Sequence, residues 1–209
     1  MRTLASSSPS LPLFQQADQW FRRASASLLG TLPCSEGCSA CCIGVFPITR
    51  LDVPELHQGL DRLPAVQQEA IEARAHAQVK ALESAYPVLK SNLSLDCWDD
   101  RIIDKVVEEF STLPCPALSP EGTCHVYACR PVTCRTMGIP NEVGGLVQGA
   151  CTVQTAVPVI RLSPSFRAEE NQLAEQEMVE LAILNRDRPD NGDEIWLPYG
   201  FLRDLDATP

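Results

Sequence analysis

Apolar residues recur at the three- and four-residue spacing of amphipathic helices along most of the chain, and prolines and glycines separate these stretches. Gly30 follows the first stretch, and Pro64 and Pro87 bound the longest one. A short helix is expected to start at Thr49 or Asp52, since either side chain can cap it. The predicted helices cover about residues 13–29, 52–60, 65–86, 99–110 and 165–185.

Two of these helices carry an apolar face that we expect to be buried. In the helix over 65–86 the face consists of small residues, namely Val66, Ala70, Ala73, Ala77, Leu82 and Ala85. In the helix over 99–110 the predicted buried stripe is Ile102, Ile103, Val106, Val107 and Phe110. Asp99 and Asp100, at the start of the helix over 99–110, are typical of helix caps.

Between the helices the pattern predicts only small extended pieces. Residues 43–48 are a short apolar run, either a strand or a buried connector, and Gly144 and Gly145 indicate a hairpin turn between segments 137–143 and 146–153. The tail with Trp196, Pro198 and Tyr199 is expected to pack irregularly. We predict a mainly α fold with small irregular β elements. It would be a single domain over residues 12–209, its loops organised around one site, after a flexible segment 1–11.

The bulk composition is that of an ordinary globular protein. The chain has 209 residues, 44% hydrophobic and 21% charged, which is enough to bury a core without cross-links. A formal net charge of −10 and the lack of a basic stretch argue against binding to nucleic acid or to an anionic membrane. No apolar run approaches the ~20 residues that cross a bilayer, and the first residues lack the apolar centre of a secretory signal. The cytoplasm is therefore the expected location.

Ten cysteines are the candidate chemistry of this chain, and nine of them fall into two stretches. The first holds Cys34, Cys38, Cys41 and Cys42, and the second holds Cys115, Cys124, Cys129 and Cys134, with Cys151 soon after. Spacings such as C-x3-C and C-x2-C let one loop present several sulfurs to a single point, which suits a soft metal. Core filling rarely groups cysteines so densely, and disulfides need an oxidising compartment. A metal–thiolate site is the favoured prediction.

The adjacent pair Cys41 and Cys42 bears on the number of metals. Neighbouring side chains in extended backbone point to opposite sides, so each sulfur is expected to serve a different metal or a different corner of one cluster. Four ligands satisfy one zinc, so eight or nine cysteines can serve two ions or one polynuclear centre. Arg130 and Arg135 adjoin Cys129 and Cys134, where they either hydrogen-bond to sulfur and offset its charge or are ordinary surface arginines.

Other candidate residues point to no separate chemistry. His125 adjoins Cys124, where shared chelation is awkward, and His57 and His76 lie on predicted helices and are expected at the surface. The sequence contains no nucleophile elbow, Walker loop, dinucleotide fingerprint or HExxH helix. The one C-x2-C spacing lacks the βαβ surroundings of a thioredoxin-type pair.

The cysteine motifs resemble those of a known family, the YkgJ-like zinc- or iron-chelating domains named for a CxxCxxCC signature. The resemblance rests on the segments Cys34-x3-Cys38-x2-Cys41-Cys42, Cys115-Pro-Ala-Leu and Gly122-Thr-Cys124-His-Val-Tyr127-x2-Arg130-Pro131-x2-Cys134-Arg135. It covers about residues 34–151, a little over half of the chain. The first spacing is three residues here, where the signature has two.

The resemblance implies ligation of zinc or iron by cysteine, with an iron–sulfur cluster as the alternative, and no settled catalytic activity. It carries the ligand role to Cys34, Cys38, Cys41, Cys42, Cys115, Cys124, Cys134 and Cys151. Cys129 occupies a variable position of the motif and is expected to be an extra, and Cys97 is expected to be a buried or free thiol. Tyr127 and Pro131 are predicted either to pack at the centre or to be scaffolding.

The expected function is that of a cysteine-rich protein that coordinates zinc or iron ions, up to two per chain, through two converging cysteine clusters. Its expected partners are metal ions, with no nucleic acid and no membrane. Two alternatives stay open. One is an iron–sulfur enzyme or redox protein for electron or methyl transfer, since some flagellin lysine methylating proteins carry a similar signature. The other is an interaction module with a structural zinc.

Overall fold

The structure is a computed structural model that describes residues 11–28, 32, 37–143, 145–148, 151, 153, 161–187 and 192–203. Helices dominate these ranges, and the strands are three residues long, so the predicted mainly α class with small β elements is confirmed. The elements are α1 (Leu13–Ser27), β1 (Pro47–Thr49), α2 (Asp52–Asp61), α3 (Ala65–Ala85), α4 (Asp100–Glu109), α5 (Val132–Thr136), β2 (Asn141–Val143), β3 (Leu146–Gln148), α6 (Pro164–Leu184) and β4 (Glu194–Trp196). Single 3-10 turns cover Ala40–Cys42, Pro87–Lys90, Tyr127–Cys129, Asn185–Asp187 and Leu197–Phe201.

The described residues form two antiparallel strand pairs. One pair joins segments that are adjacent in the sequence, and the other joins segments that are far apart. β2 and β3 form the predicted hairpin, in which Gly145 has a φ of +81° that suits glycine, while Gly144 lies outside the described residues. β1 pairs with β4, and Ile48 lies opposite Ile195. The prediction of an irregular tail is therefore wrong. The tail is a buried strand and a buried 3-10 turn, because β1 supplies a distant partner for its backbone.

The apolar side chains form two cores. One lies among α2, α3, the β1–β4 pair and the 3-10 turn Leu197–Phe201, and its largest fully buried side chains include Trp196 and Phe201. The other lies among α1, α5 and α6 and includes Trp20, Val132 and Leu173. The indole N–H of Trp20 donates to the carbonyl of Phe166 at 2.9 Å, which fixes α1 on α6. A space that seven of the described cysteines line is bordered by residues of both cores.

The predicted boundaries of α3 are confirmed, but its predicted buried face is mostly wrong. The buried residues are Ile71, Ala75, Gln78, Val79 and Leu82, of which only Leu82 was expected. Val66 is 77% exposed, and the alanines of the predicted face are exposed as well. These alanines favour the helix without packing into a core. Gln78 can lie inside because its side-chain amide donates to the carbonyl of Pro114 at 2.8 Å.

Two details at other helices also differ from expectation. In α4 only Val106 is fully buried, and Ile102 is 44% exposed, because just one side of this short helix meets the core. The side chain of Asp99 accepts the N–H of Arg101 at 2.9 Å and so caps α4 as predicted. Neither of the predicted caps serves α2: the preceding residue is Leu51, and Asp52 is a buried residue of the first turn. No helix in the described ranges is long and apolar enough to cross a membrane.

Candidate metal centre

Backbone hydrogen bonds hold the two cysteine-bearing stretches side by side. The N–H of Cys115 donates to the carbonyl of Cys42 at 2.7 Å, and the N–H of Gly44 donates to the carbonyl of Leu113 at 2.6 Å. Gly44 has a φ of +104°, a conformation that side chains other than glycine strain to adopt. Cysteines that are far apart in the sequence are thereby brought next to each other.

The adjacent residues Cys41 and Cys42 lie in a single 3-10 turn, closed by the N–H of Cys42 donating to the carbonyl of Ser39 at 2.9 Å. Both residues line the same cavity. The premise that this pair lies in extended backbone with opposed sulfurs is therefore wrong. The turn coils the backbone, so neighbouring side chains need not diverge.

A tight loop over residues 119–124 presents Cys124. The N–H of Ser119 donates to the carbonyl of Thr123 at 2.8 Å, and the N–H of Gly122 donates to the carbonyl of Ser119 at 3.0 Å. The hydroxyl of Ser119 accepts the N–H groups of Glu121 and Thr123, each at 3.2 Å. Gly122 has a φ of +83°, a conformation that glycine adopts without strain. Polar bonds, rather than a packed apolar core, thus fix the shape of this loop.

Cys134 lies on α5, whose first N–H is bound by a buried carboxylate. The N–H of Val132 donates to Oδ1 of Asp52 at 2.8 Å, and the N–H of Thr49 donates to Oδ2 of Asp52 at 3.0 Å. Asp52 is fully buried, and burial raises the pKa of its carboxyl to about 7. Asp52 therefore ties β1 and α2 to the helix that bears Cys134. No motif in the sequence indicated this role.

Arg135 on α5 is 3% exposed and is occupied by contacts within the protein, so the surface alternative is wrong for this residue. Its Nε donates to the carbonyl of Arg130 and its Nη2 to the carbonyl of Ala128, both at 2.8 Å. Nη1 pairs with the carboxylate of Asp18, and Nη2 lies 3.7 Å from Oε2 of Glu55. Arg135 thereby braces the loop before α5 against α1 and α2.

These segments enclose a cavity of about 640 Å³ between the two cores. Of the predicted ligands, those that line it are Cys38, Cys41, Cys42, Cys115, Cys124, Cys134 and Cys151. Cys34, the remaining predicted ligand, lies outside the described residues. The structure thus brings the described candidates to one cavity, and their binding of metal stays a prediction.

Two other cysteines lie away from the cavity lining. Cys97 is exposed. Cys129 is buried against α2, where its sulfur accepts Nη1 of Arg62 at 3.3 Å and its thiol lies 3.7 Å from Oε1 of Gln58. A Cβ on Gly59 would come within 2.9 Å of the Cβ of Cys129, so the absence of a side chain there permits the close approach. Cys129 therefore contributes to the packing of α2 against the 3-10 turn Tyr127–Cys129.

The interaction between the adjacent thiols shifts the pKa of Cys41 and the pKa of Cys42 in opposite directions. A hydrogen bond with Cys42 lowers the pKa of Cys41 to about 6 despite burial, and a backbone N–H and the charge of Arg130 act in the same direction. The same hydrogen bond, together with burial and the neighbouring thiols, raises the pKa of Cys42 far above that of a free thiol.

Burial is the main influence on the other central thiols. It raises the pKa of Cys115 to about 12, raises that of Cys124, and raises that of Cys134 well above its usual range. The positive charge of Arg130 lowers the pKa of Cys124, and that of Arg74 lowers the pKa of Cys115. Each of these thiols also responds to the charge of at least one other cysteine, so the sulfurs are close enough to interact electrostatically.

Different contacts hold Arg130 and Arg74, the two arginines whose charge lowers the pKa of a cysteine at this site. Arg130 pairs with Asp18 at 2.8 Å, donates to the carbonyl of Tyr127 at 2.8 Å, and lies 4.1 Å from the centre of the Tyr127 ring. Arg74 comes from α3, where its Nε donates to the carbonyl of Pro116 at 2.8 Å. Sequence reasoning missed Arg74, because a helix residue distant from every cysteine motif gives no local signal.

The histidines and Tyr127 complete the comparison with the predicted site. His125 is half-buried and lies outside the cavity lining, and His76 is exposed as expected. His57 is half-buried, and its buried Nε2 has no hydrogen-bond partner among the residues that the structure describes, so its predicted surface position is wrong. Tyr127 lines the cavity but is 65% exposed, which places it at the mouth.

The donor set suits a soft metal in type, since seven cysteine side chains line one cavity. Within the ranges that the structure describes, no three His, Cys, Asp or Glu side chains are arranged to hold an ion as they stand. Thiol side chains rotate about one bond, so binding would require rotation of side chains into the cavity. The backbone that carries them is already folded around it.

Comparison with known proteins identifies one related family. A family model described as a "putative zinc- or iron-chelating domain", with the signature CxxCxxCC, matches residues 33–152. This range contains every cysteine that lines the cavity. Neither the curated proteins nor the solved structures gave a significant match.

Proposed function

The chain belongs to the family of zinc- or iron-chelating domains with the CxxCxxCC signature, and from this we propose that its cavity binds zinc or iron through cysteine thiolates. The observation that carries the proposal is the electrostatic coupling of Cys41, Cys42, Cys115, Cys124 and Cys134 inside one cavity. Burial and the neighbouring cysteines raise the pKa of most of these thiols, so a bound cation is needed to stabilise several of them as thiolates. A thiophilic metal ion is the natural occupant.

The proposed inner ligands are the five cysteines just named, which interact electrostatically. Cys38, Cys151 and Cys34 are proposed as additional ligands. Four thiolates complete one tetrahedral ion, so this set exceeds the needs of a single zinc. We propose that the chain binds more than one ion, either as two zinc or iron ions or as an iron–sulfur cluster. Arg130 and Arg74 offset part of the negative charge that such a centre carries.

Bound metal would also stabilise the loops around it. The segment 37–44 and the loop 119–124 have few buried apolar side chains and depend on hydrogen bonds for their shape. Metal–sulfur bonds add folding free energy where the hydrophobic contribution is small. A reducing compartment such as the cytoplasm would keep these cysteines available as ligands.

The test is the metal content of protein purified anaerobically, measured together with its optical spectrum. We expect more than one zinc or iron ion per chain. Visible sulfur-to-iron charge-transfer absorption would identify iron or an iron–sulfur cluster, and a colourless protein that loses its metal to chelator would identify zinc. Cys41→Ala and Cys134→Ala should each lower the metal content.

Two cysteines outside the cavity lining provide matched controls. Cys97→Ala removes an exposed thiol, and Cys129→Ala removes a buried thiol that contacts Arg62, so both should keep the metal content of the parent. Circular dichroism checks that each variant is folded. One ion or none per chain would contradict the proposed multiple-metal centre. Equal losses from Cys97→Ala and Cys134→Ala would contradict the assignment of ligands to the cavity.

A further inference from the structure

The cavity is much larger than a metal centre alone requires. Its volume is about 640 Å³, whereas a water molecule occupies a share of only ~30 Å³ in the liquid. Ions ligated by cysteine sulfur lie within ~2.3 Å of their ligands, so they add little volume beyond the sulfurs that already line the wall. The volume falls within the ~300–1,000 Å³ that is typical of small-molecule sites. A purely structural metal site, by contrast, is closed.

The cavity lining also includes apolar and aromatic side chains. Phe21 of α1 belongs to one core, and Phe46, Leu56, Leu197 and Phe201 belong to the other. We call these five side chains, which line the cavity together with the cysteines, the apolar wall. The cavity thus combines sulfur ligands with the kind of surface that buries an apolar or aromatic group.

The charge of the site narrows the ligand class. A divalent ion with four thiolates carries a formal charge of −2, and the chain as a whole carries −10. The guanidinium groups of Arg130 and Arg135, which also line the cavity, are already paired with Asp18. An additional anion would therefore meet net repulsion, whereas an uncharged donor atom would not. Neutral nitrogen or thioether sulfur donors bind the soft-to-borderline metals that cysteine selects.

We propose that the cavity binds a small, uncharged aromatic ligand whose nitrogen or sulfur donor atom contacts the metal centre while its ring packs on the apolar wall. This inference rests on the proposed metal centre, and it requires that a ligand inside the cavity can reach the metal. The protein is then a receptor for an organic molecule as well as for metal. The apolar wall, rather than the cysteines, selects the ligand.

The test compares two probes on cobalt-reconstituted full-length protein, because cobalt(II) absorption bands respond to a change of ligand. Imidazole supplies the neutral nitrogen alone, and 4-phenylimidazole adds a phenyl ring for the wall. Burial of a phenyl group should make 4-phenylimidazole bind at least about tenfold more tightly. This comparison uses the parent chain and needs no variant. Equal affinities, or no spectral change with either probe, would overturn the inference.

A pair of variants on α1 locates the binding site. Ser25 lines the cavity and its next neighbour Ala26 is exposed, so Ser25→Phe fills the cavity and Ala26→Phe adds the same ring outside it. We expect Ser25→Phe to remove the advantage of 4-phenylimidazole over imidazole and Ala26→Phe to preserve it. Identical behaviour of the two variants would place binding elsewhere and overturn the inference.

Cobalt loading, measured before either probe is added, separates the two proposals. Failure to bind cobalt or zinc would count against the metal centre itself. Normal loading followed by no response to 4-phenylimidazole would refute the ligand site and leave the metal centre intact.

Discussion

Asp18 on α1 carries the ion pairs that brace the loop before Cys134, and its removal should be costly. Its carboxylate pairs with Arg130 at 2.8 Å and with Arg135, whose side chain is only 3% exposed. In Asp18→Ala, the charged group nearest to Arg135 would be Glu55, at 3.7 Å. A buried guanidinium would then have lost its closest counter-charge.

The magnitude follows from this burial. Removing one partner of a buried ion pair costs ~3–5 kcal/mol, because the other charge is left without compensation. The Asp18 side chain is itself 24% exposed, which places the expected loss of unfolding free energy near the lower end, at about 3 kcal/mol. For a domain of this size that corresponds to a decrease in Tm of about 6–12 °C.

An exposed ion pair between α1 and α6 provides a matched control. Arg23 and Glu169 pair with side-chain exposures of 53% and 40%, so Glu169→Ala also removes one carboxylate from this helix interface. Exposed pairs contribute only ~0–1 kcal/mol. Urea denaturation of the metal-loaded proteins, followed by circular dichroism, measures both changes. If Asp18→Ala and Glu169→Ala lower the unfolding free energy by similar amounts, the brace is not what stabilises this loop.

Three further predictions concern burial. Burial raises the pKa of Asp52 to about 7, so between pH 4 and 7 the folded chain retains a proton that the unfolded chain releases. The stability of the parent relative to Asp52→Asn should therefore fall as the pH rises from 4 to 7, by about 3 kcal/mol; a pH-independent difference in urea denaturation would contradict this. Leu82→Ala should lower the free energy of unfolding by about 2–5 kcal/mol, because Leu82 is buried. Val66→Ala changes a site that is 77% exposed, so it should leave the urea midpoint nearly unchanged. Equal losses from the two variants would refute the observed buried face of α3. Gly59→Ala should lower Tm, because its Cβ would lie 2.9 Å from the Cβ of Cys129; a Tm at or above that of the parent would show that α2 shifts freely.

The sequence indicated helix ends well and helix faces poorly, for a physical reason. Pro64 and Pro87 restrict the backbone locally, so they bound α3 whatever surrounds it. The face of α3 depends instead on what packs against it. Alanines occur all around this helix, and the polar Gln78 lies inside because the carbonyl of Pro114, on a distant loop, accepts its amide N–H. No property of the α3 sequence alone specifies that partner.

At the candidate site, too, features set by neighbouring residues were predictable from the sequence, and features set by tertiary contacts were not. Cysteine spacing is local, and it indicated residues that the structure brings to one cavity. The 3-10 turn at Cys41 and Cys42 depends on a hydrogen bond to Ser39, which two adjacent letters do not reveal. Arg74 and Asp52 reach the site from α3 and α2 through tertiary contacts. Residues that act by position rather than by motif were not predictable.

The cavity lining draws on residues inside and outside the family match. Its cysteines lie within the match at residues 33–152, whereas Phe21 and Ser25 precede that match and Leu197 and Phe201 follow it. A fragment trimmed to the match would retain every cysteine and lose these four lining residues. Studies of the whole cavity therefore need the segments on both sides of the matched range.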